Sequence, residues 1–276
     1  MTGKQQLFTD RTMVISGGSR GIGLAIALAA ARQGANVVVL AKTAEPHPRL
    51  PGTVHTAVAE LEAAGGKAVA VVGDVRNEDD VRRAVETGVD RFGGVDFCIN
   101  NASAITTAPT AELTAKRFDL MQEVNIRGTF LLTRACLPHL RRAPNPHVLT
   151  VSPPLNLSPR WLGAHPAYTQ SKYGMTLLSL GWAAEFAADK IGVNCLWPQT
   201  YIATSAVANM PDGQKLLASA RDPRIMGDAA AEILSRPAEH TTGNCYVDAR
   251  VLIDSGVAEL SGYGGGDRPI PDMFLD

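Results

Sequence analysis

Tyr168 and Lys172 are the side chains in this sequence whose types and spacing best suit acid–base chemistry. On a helix, residues four apart lie on one face, one turn from each other. An ammonium beside a phenol favours the phenolate, so we expect Lys172 to lower the pKa of Tyr168 from its ordinary value of about 10. Such a phenol exchanges a proton with an alcohol or a ketone near neutral pH. Because the pair also arises by chance, this interpretation requires a cofactor site upstream.

A glycine-rich turn near the start of the chain could supply that site. It follows a short β-prone run at residues 11–16 and opens an Ala- and Leu-rich helical stretch at 21–32. Glycines there let the backbone turn tightly and let a pyrophosphate approach the helix N-terminus, where free N–H groups favour anions. A purely structural turn is the alternative. The predicted cofactor contacts of this turn are Gly17, Ser19, Arg20, Gly21, Ile22 and Gly23.

The end of the second predicted strand bears on the choice between NAD and NADP. A carboxylate there would bind the ribose 2′-hydroxyl of NAD. This strand instead ends Leu40-Ala41-Lys42-Thr43, with no acid before Glu45. Lys42 and Arg20 offer two cations where a 2′-phosphate would lie, which predicts NADP(H) in preference to NAD(H). The alternatives are a solvated loop cation for Lys42 and a helix-start surface residue for Arg20.

Two further strand ends are predicted to contact the nucleotide. Asp74 closes the third strand, where it could reach the adenine amino group, cap the following turn, or do both; Val75 follows it. Asn101 and Ala102 follow the fourth strand, and Asn side chains there can hydrogen-bond the neighbouring backbone and stabilise the loop beneath a cofactor.

Strands and helices alternate along the chain at the spacing of βαβ units. We therefore predict one α/β domain over residues 1–276, a Rossmann-type doubly wound sheet of about seven parallel strands with helices on both faces. Asn77 is a plausible N-cap. Residues 113–139 supply two predicted helices and 244–252 a seventh strand. A substrate loop is expected at about 200–225, and an irregular, Gly- and Pro-rich tail at about 262–276.

Composition narrows the functional classes. A net charge of -1 and 5% aromatic residues give no case for binding nucleic acid. No apolar run approaches the roughly 20 residues of a membrane span. The sequence predicts no metal site, and widely spaced cysteines predict free thiols in a reducing, cytoplasmic setting. These cysteines are Cys98, Cys136, Cys195 and Cys245.

In combination, the motifs resemble the short-chain dehydrogenase/reductase family across about residues 10–255. Ser16-Gly17-x-x-x-Gly21-x-Gly23 corresponds to its T-G-x-x-x-G-x-G, and Asn100-Asn101-Ala102-Ser103 to its N-N-A-G. Asn125 lies in Val124-Asn125-Ile126-Arg127-Gly128, and Tyr168-x-x-x-Lys172 matches Y-x-x-x-K.

Three segments are closer to one branch of that family, the hydroxysteroid dehydrogenase-like proteins that some eukaryotes fuse to a sterol-carrier domain. This chain would then be the reductase part alone. The segments are Ala41-Lys42-Thr43-Ala44-Glu45-Pro46-His47-Pro48, Ser152-Pro153-Pro154-Leu155-Asn156-Leu157 and Pro271-Asp272-Met273-Phe274-Leu275-Asp276.

The resemblance implies roles for the matching residues. Tyr168 would be the general acid/base toward the substrate oxygen, and Lys172 would bind the nicotinamide ribose and lower the pKa of Tyr168. Asn125 would hold a water in a proton relay, its alternative being a residue that only kinks a helix. The family is usually dimeric or tetrameric through the helices bearing Arg127 and Tyr168, and the apolar stretch 177–186 suits such an interface.

Two departures from the family pattern concern the substrate side. The family's serine lies 12 to 14 residues before the tyrosine, but Ser152 lies further upstream, followed by Pro153. Ser152, Asn156 or no side chain could take that role. The segment after Pro198 is one residue longer than usual, and it would place Ile202 and Thr204 against the carboxamide and phosphates.

The sequence thus predicts an NADP(H)-dependent oxidoreductase acting on a secondary alcohol or ketone. A redox-silent nucleotide-binding sensor or scaffold is the main alternative, and a lyase or epimerase on the same fold is a third. The substrate is not identified by the sequence. Apolar residues in 203–224 suit a small apolar ligand, or equally ordinary packing.

Overall fold

The computed structural model describes residues 6–47, 51–210, 212–266 and 268–276, so Pro48 of the motif at 41–48 lies outside the described residues. Within these ranges, seven parallel strands form one sheet in the order β3-β2-β1-β4-β5-β6-β7. This confirms the predicted Rossmann-type fold. The strands are β1 (Thr12–Ser16), β2 (Asn36–Ala41), β3 (Lys67–Val72), β4 (Phe97–Asn100), β5 (His147–Thr150), β6 (Gly192–Trp197) and β7 (Cys245–Val247).

Helices cover both faces of the sheet. They are α1 (Gly21–Arg32), α2 (Val54–Ala63), α3 (Glu78–Phe92), α4 (Ala115–Met121), α5 (Gly128–Leu140), α6 (Pro159–Ala164), α7 (Pro166–Glu185), α8 (Ser205–Ala208), α9 (Gly213–Ala218), α10 (Arg224–Ser235) and α11 (Asp248–Asp254). None of them, in the part of the chain that is described, is long and apolar enough to cross a membrane.

Successive residues of the central strands enter opposite cores because strand side chains alternate between faces. Ile15 packs in a cluster with residues of α1, α10 and α11, whereas its neighbour Val14 packs with residues of α3, α5 and α7. The chain reverses its winding direction between β1 and β4, and in such sheets the ligand crevice lies at this switch point.

Two predicted elements differ in the structure. The stretch predicted as a seventh strand at 244–252 is a strand only over Cys245–Val247, after which Asp248 begins α11. The region 113–139 contains α4 and α5, joined without a break by a π-helical turn at Gln122–Arg127. Such turns widen a helix by one residue and often occur at functional sites.

The irregular tail ends in a segment that is folded against the domain. We call residues 271–276 the C-terminal segment. Pro271 forms an antiparallel bridge with Thr200, and Asp272 N donates to Gln199 O at 3.0 Å. Phe274 is buried, and its ring lies 5.3–6.2 Å, centroid to centroid, from four aromatic rings. These rings belong to Trp161, Tyr168, Tyr173 and Trp197.

Asn77 is the N-cap of α3, as predicted. Its Oδ1 accepts from Asp79 N at 2.8 Å and from Asp80 N at 3.3 Å. The first turn of α3 also supports the loop after β3, because the Asp80 carboxylate accepts a hydrogen bond from Asp74 N at 2.8 Å. The cap therefore fixes one wall of the crevice.

We predict that Asn77→Ala lowers the free energy of unfolding by about 1 kcal/mol, because two helix N–H groups lose their acceptor. Urea denaturation checks this. Asn77→Ser, which keeps a capping oxygen, is the matched control and should remain close to the parent protein. An alanine variant as stable as the serine variant would contradict the capping role.

Candidate active site

One cavity of about 1120 Å³ opens at the carboxyl edge of the sheet and brings the predicted cofactor residues together. It extends from the glycine turn to the acid–base pair. Neither Asn125 nor Ser152 is part of its lining. The predicted residues that line it are Gly17, Ser19, Arg20, Gly21, Ile22, Gly23, Lys42, Asp74, Val75, Asn101, Ala102, Tyr168, Lys172, Pro198, Ile202 and Thr204.

The glycine turn has the geometry that a bound pyrophosphate needs. Gly17 has a φ of 69°, and a Cβ there would lie 3.0 Å from Ala102 Cα. A Cβ on Gly23 would lie 2.4 Å from Asn101 Nδ2 and 2.5 Å from Gly17 O. No side chain caps the first turn of α1, so its N–H groups stay available to an anion. The turn therefore fits the phosphates of a dinucleotide.

Asn101 ties this turn to the end of β4, the supporting role expected of it. Its Nδ2 donates to Ser16 O and Gly17 O, both at 3.0 Å. Ser16 Oγ in turn accepts from the backbone N of Asn101 and of Ala102. These bonds connect the loops after β1 and β4 on both sides of the switch point.

The cations proposed for a 2′-phosphate line the cavity, but both have protein partners. Lys42 Nζ lies 3.5 Å from Asp74 Oδ2, and Arg20 Nη2 donates to Gly52 O at 2.7 Å. Arg76 also binds Asp74 through both carboxylate oxygens. Although partial burial of Asp74 opposes the shift, its hydrogen bonds with Arg76 and the nearby Lys42 lower its pKa to about 2. Asp74 is thus an ionised acid surrounded by cations.

Tyr168 and Lys172 lie together on α7, and both are buried, at 5% and 2% exposure. Lys172 Nζ donates to Val151 O at 2.5 Å and lies 5.1 Å from the centre of the Trp197 ring. Among the described residues, the Tyr168 hydroxyl makes no hydrogen bond, and it lines the cavity. The phenol is therefore open to a ligand, while the ammonium holds the end of β5.

Burial shifts both pKa values toward the neutral forms. It lowers the pKa of Lys172 to about 7. It also raises the pKa of Tyr168 well above its ordinary value, and Asp272 and Tyr201 add to that rise. The expected lowering of the Tyr168 pKa by Lys172 is not seen in this arrangement, in which Lys172 is not among the causes of the shift and desolvation is the largest of them.

Asn125 is fully buried in the π-helical turn, and its side chain is already engaged. Its Oδ1 accepts from Ala104 N at 2.7 Å, and its Nδ2 donates to Ala104 O at 3.0 Å and to Ser171 Oγ at 2.9 Å. Both amide protons are therefore used. The side chain fastens the loop after β4 to α7, beside Tyr168.

The two side chains considered for the family's serine role both lie outside the cavity lining. Ser152 is completely buried, and its Oγ has no hydrogen-bond partner among the described residues. Asn156 points toward the C-terminal segment, where its Nδ2 donates to Asp276 Oδ2 at 2.8 Å and to Phe274 O at 3.3 Å. The third alternative, that neither side chain takes the role, agrees best with these positions.

Among the cavity residues that sequence reasoning missed is Asp272 of the C-terminal segment. It is 7% exposed and lines the cavity together with Tyr168 and Lys172. The only signal was that Asp272 is one of two acids in a motif already noted as typical of one branch. Within the described residues, no group of three or more His, Cys, Asp or Glu side chains could hold a metal ion.

Comparison with known proteins identifies the class to which this fold and site belong. A sequence profile for "short chain dehydrogenase" matches residues 11–215. The chain therefore belongs to the short-chain dehydrogenase family, which confirms the resemblance seen in the motifs. Members of this family are oxidoreductases that use nicotinamide cofactors.

Particular relatives place the chain more narrowly. Hydroxysteroid dehydrogenase-like protein 2 of Xenopus tropicalis is 49% identical over 267 residues, which are 96% of this chain and 63% of the frog protein. The human protein of that name is 47% identical, with the same coverage. The chain thus spans about 63% of the length of these relatives. The crystal structure of a putative dehydrogenase from Xanthomonas campestris superimposes with a TM-score of 0.92 at 50% identity, covering 98% of this chain and 99% of that one.

The ionisation of Asp272 should be measurable as a change of stability with pH. Burial raises its pKa from the ordinary value of about 3.8 to about 7. Between these values the unfolded chain has released a proton that the folded chain keeps, so folding stability falls as the pH rises through this window. The loss amounts to about 4 kcal/mol at most.

We predict that Asp272→Asn raises the melting temperature relative to the parent protein more at pH 8 than at pH 4.5, by about 5 °C. Lys172 and Asp248 titrate in the same range and are common to both proteins, so the difference reports Asp272 together with its coupling to these two groups. Asp276→Asn, which alters an exposed carboxylate, is the control and should show no such trend. An equal difference at both pH values would mean that Asp272 has an ordinary pKa.

Proposed function

We propose that the protein is an NADP(H)-dependent oxidoreductase that interconverts a secondary alcohol and a ketone. The observation that carries this proposal is the Tyr168 hydroxyl, which lines the same cavity as the glycine turn and has no hydrogen-bond partner within the described residues. Because no described protein group satisfies this hydroxyl and it is accessible from the cavity, a water or a ligand oxygen can bind it there. A proton-exchanging group beside a dinucleotide cradle is what carbonyl reduction requires.

The cofactor half of the cavity assigns residues to each part of a dinucleotide. Gly17, Gly21 and Gly23 would surround the pyrophosphate, and Asp74 and Val75 the adenine. Lys172 would reach the nicotinamide ribose. Pro198, Ile202 and Thr204 would contact the carboxamide and phosphates, although the Thr204 hydroxyl also caps α8 by accepting from Val207 N at 3.4 Å. When bound, the nicotinamide supplies or accepts the hydride.

NADP(H) is proposed over NAD(H) because of the charges where a 2′-phosphate would lie. β2 ends at Ala41 and is followed by Lys42, which is 60% exposed. Arg20 lines the same cavity, and Asp74 is the acid at this end of it, its charge already shared with Lys42 and with Arg76, which lies outside the lining. Two cations against one acid in this part of the lining leave a net positive charge that favours a phosphate over a hydroxyl.

We predict that Lys42→Ala weakens NADPH binding roughly tenfold and leaves NADH binding nearly unchanged, because a charge-assisted contact to the phosphate is lost. Fluorescence titration with each nucleotide measures both affinities. Lys67→Ala, which removes an exposed lysine of β3 outside the cavity lining, is the charge-matched control. NADH binding as tightly as NADPH to the parent protein would contradict the coenzyme preference.

Tyr168 is proposed to exchange the proton with the substrate oxygen. Its high pKa keeps the phenol protonated, which suits donation to a ketone; a cationic nicotinamide nearby would lower that pKa for alcohol oxidation. Lys172 would continue the relay. Because the Asn125 side chain is engaged, a relay water would have to be held by the backbone of the π-helical turn rather than by the amide.

We predict that Tyr168→Phe lowers ketone reduction about 10²- to 10⁴-fold while NADPH still raises the melting temperature, because the ring packing is kept and only the proton donor is lost. Steady-state kinetics on a panel of cyclic and aliphatic ketones measures this. Tyr173→Phe, on the same helix and also against Phe274, is the control and should lose less than about tenfold. Absence of turnover by the parent protein on the whole panel would favour the redox-silent alternative, which the position of Ser152 outside the cavity motivates.

The substrate is proposed to be a small apolar alcohol or ketone. Around Tyr168, the cavity is lined mainly by apolar side chains, and α8 with the residues after it forms one wall. These apolar residues are Ile105, Leu120, Val151, Trp197, Val207, Met210 and Met273. The names of the relatives suggest a hydroxysteroid as one member of this class.

A homodimer or homotetramer in a cytoplasmic setting completes the proposal. Phe130 of α5 and Leu177 of α7 are 41% and 57% exposed, on the two helices expected to form the interface. Within 177–186, however, Trp182 and Phe186 pack into the protein's own core, so Leu177 carries much of the exposed apolar area. The four cysteines are free thiols, as a reducing compartment requires.

A further inference from the structure

Two buried residues present unpartnered polar atoms to the substrate half of the cavity. The first is Tyr168, through its hydroxyl. The second is Asp272, whose Oδ1 accepts from Met273 N at 2.6 Å while Oδ2 makes no hydrogen bond within the described residues. Both line the cavity. Although both residues are buried, neither atom is among the fully enclosed ones that lack a partner, so both atoms are accessible from the cavity and can bind an oxygen supplied by a water or a ligand.

The backbone around Asp272 is held on both sides. Its N–H donates to Gln199 O at 3.0 Å, and the following carbonyl, Met273 O, accepts from Trp197 Nε1 at 2.9 Å. Phe274 then anchors the segment in its aromatic surroundings. The backbone therefore holds Asp272 in a fixed position in the cavity wall. A group that acts on a substrate needs such a fixed position.

Burial, more than the charges around it, favours the neutral form of Asp272. Lys172 and Tyr168 face it from α7, Tyr201 from the loop after β6, and Asp248 from the start of α11. Burial raises the pKa of Asp272 to about 7, and the charge of Asp248 adds to the rise. The hydrogen bond from Met273 N and the charge of Lys172 oppose it. A carboxyl group that keeps its proton in an apolar site can donate a hydrogen bond.

We propose that Asp272 is a further catalytic group, which in its neutral form donates a hydrogen bond from Oδ2 to the substrate carbonyl oxygen beside the Tyr168 hydroxyl. This inference rests on the proposed function. Asp272 would thus hold the substrate oxygen, the role of the family's serine, because Ser152 is buried outside the cavity lining. It holds and polarises the oxygen, while Tyr168 transfers the proton.

Two substitutions of Asp272 distinguish a role as hydrogen-bond donor from a role in packing alone. In Asp272→Asn, the amide oxygen must accept from Met273 N, which directs the NH₂ group to the cavity and keeps a donor there. Asp272→Leu keeps the branched shape, with larger terminal groups, but has no donor. At pH 6 we expect ketone reduction by the leucine variant to fall about 10²-fold in kcat, and that of the asparagine variant to stay within about fivefold of the parent.

The pH dependence gives an independent readout. The parent protein should lose roughly tenfold in kcat between pH 6 and pH 8 as Asp272 ionises, and Asp272→Asn should not. Lys172 is present in both proteins, but the Asp272 carboxylate raises its pKa, so the difference between the two pH profiles reports the titration of the coupled Asp272–Lys172 pair. Melting temperatures with and without NADPH show that each variant is folded and that its cofactor site is intact.

Asp276→Asn is the control for the segment, because Asp276 anchors it through Asn156 and Trp161 outside the cavity lining. The inference is overturned if the leucine variant is as active as the parent, if the asparagine variant is as impaired as the leucine variant, or if Asp276→Asn causes the same loss. Each of these results leaves the proposed function standing, provided that the parent protein reduces ketones. Absence of turnover by the parent protein overturns the proposed function and this inference together.

Discussion

The packing of Phe274 among aromatic rings is the contact on which the substrate half of this site depends. The surrounding segment has no regular secondary structure to hold it, apart from the bridge at Pro271. Phe274 also has a φ of 74°, a left-handed conformation that costs a non-glycine residue roughly 1–2 kcal/mol. Such strain persists only where the surroundings outweigh it. Burial of a whole aromatic ring, worth about 1.5–3 kcal/mol or more, is large enough to do so.

Burial of the three titratable side chains determines the electrostatics of the substrate half of the cavity. Tyr168, Lys172 and Asp272 all have pKa values shifted toward their neutral forms, with desolvation the largest cause in each case. Because Lys172 and Asp272 have opposite charges and pKa values of about 7, the site carries little net charge around the reacting atoms near neutral pH, whereas the nucleotide end carries ionised Asp74 among its cations. In a medium of low dielectric constant, a charge brought by a ligand acts strongly on every group near it. The phenol's acidity would then be set by what binds beside it, rather than by Lys172 alone.

The sequence was sufficient for the parts of the fold that depend on local patterns. Apolar runs such as β2 and caps such as Asn77 depend on neighbours along the chain, and the residues that line the nucleotide end of the cavity were predicted because glycine turns and strand ends have known spacing. The beginning of α11 at Asp248 was missed because a strand of three residues gives too short a pattern. Asp272 was missed for a different reason. Its position depends on contacts with residues far away in the chain, at 197–201, which no local pattern contains.

The two departures from the family pattern meet at one place in the structure. The segment at 198–204, one residue longer than usual, pairs with the C-terminal segment through Thr200 and Gln199. The segment at 152–157, in which prolines replace the expected serine, holds the other end of it through Asn156. The loop at 152–157 lacks the expected serine, and the C-terminal segment that this loop helps to hold contains Asp272. In the proposed site, one hydrogen-bond donor would thus take the place of the other. The irregularities that weakened the sequence argument for a substrate site thus become the contacts that build one.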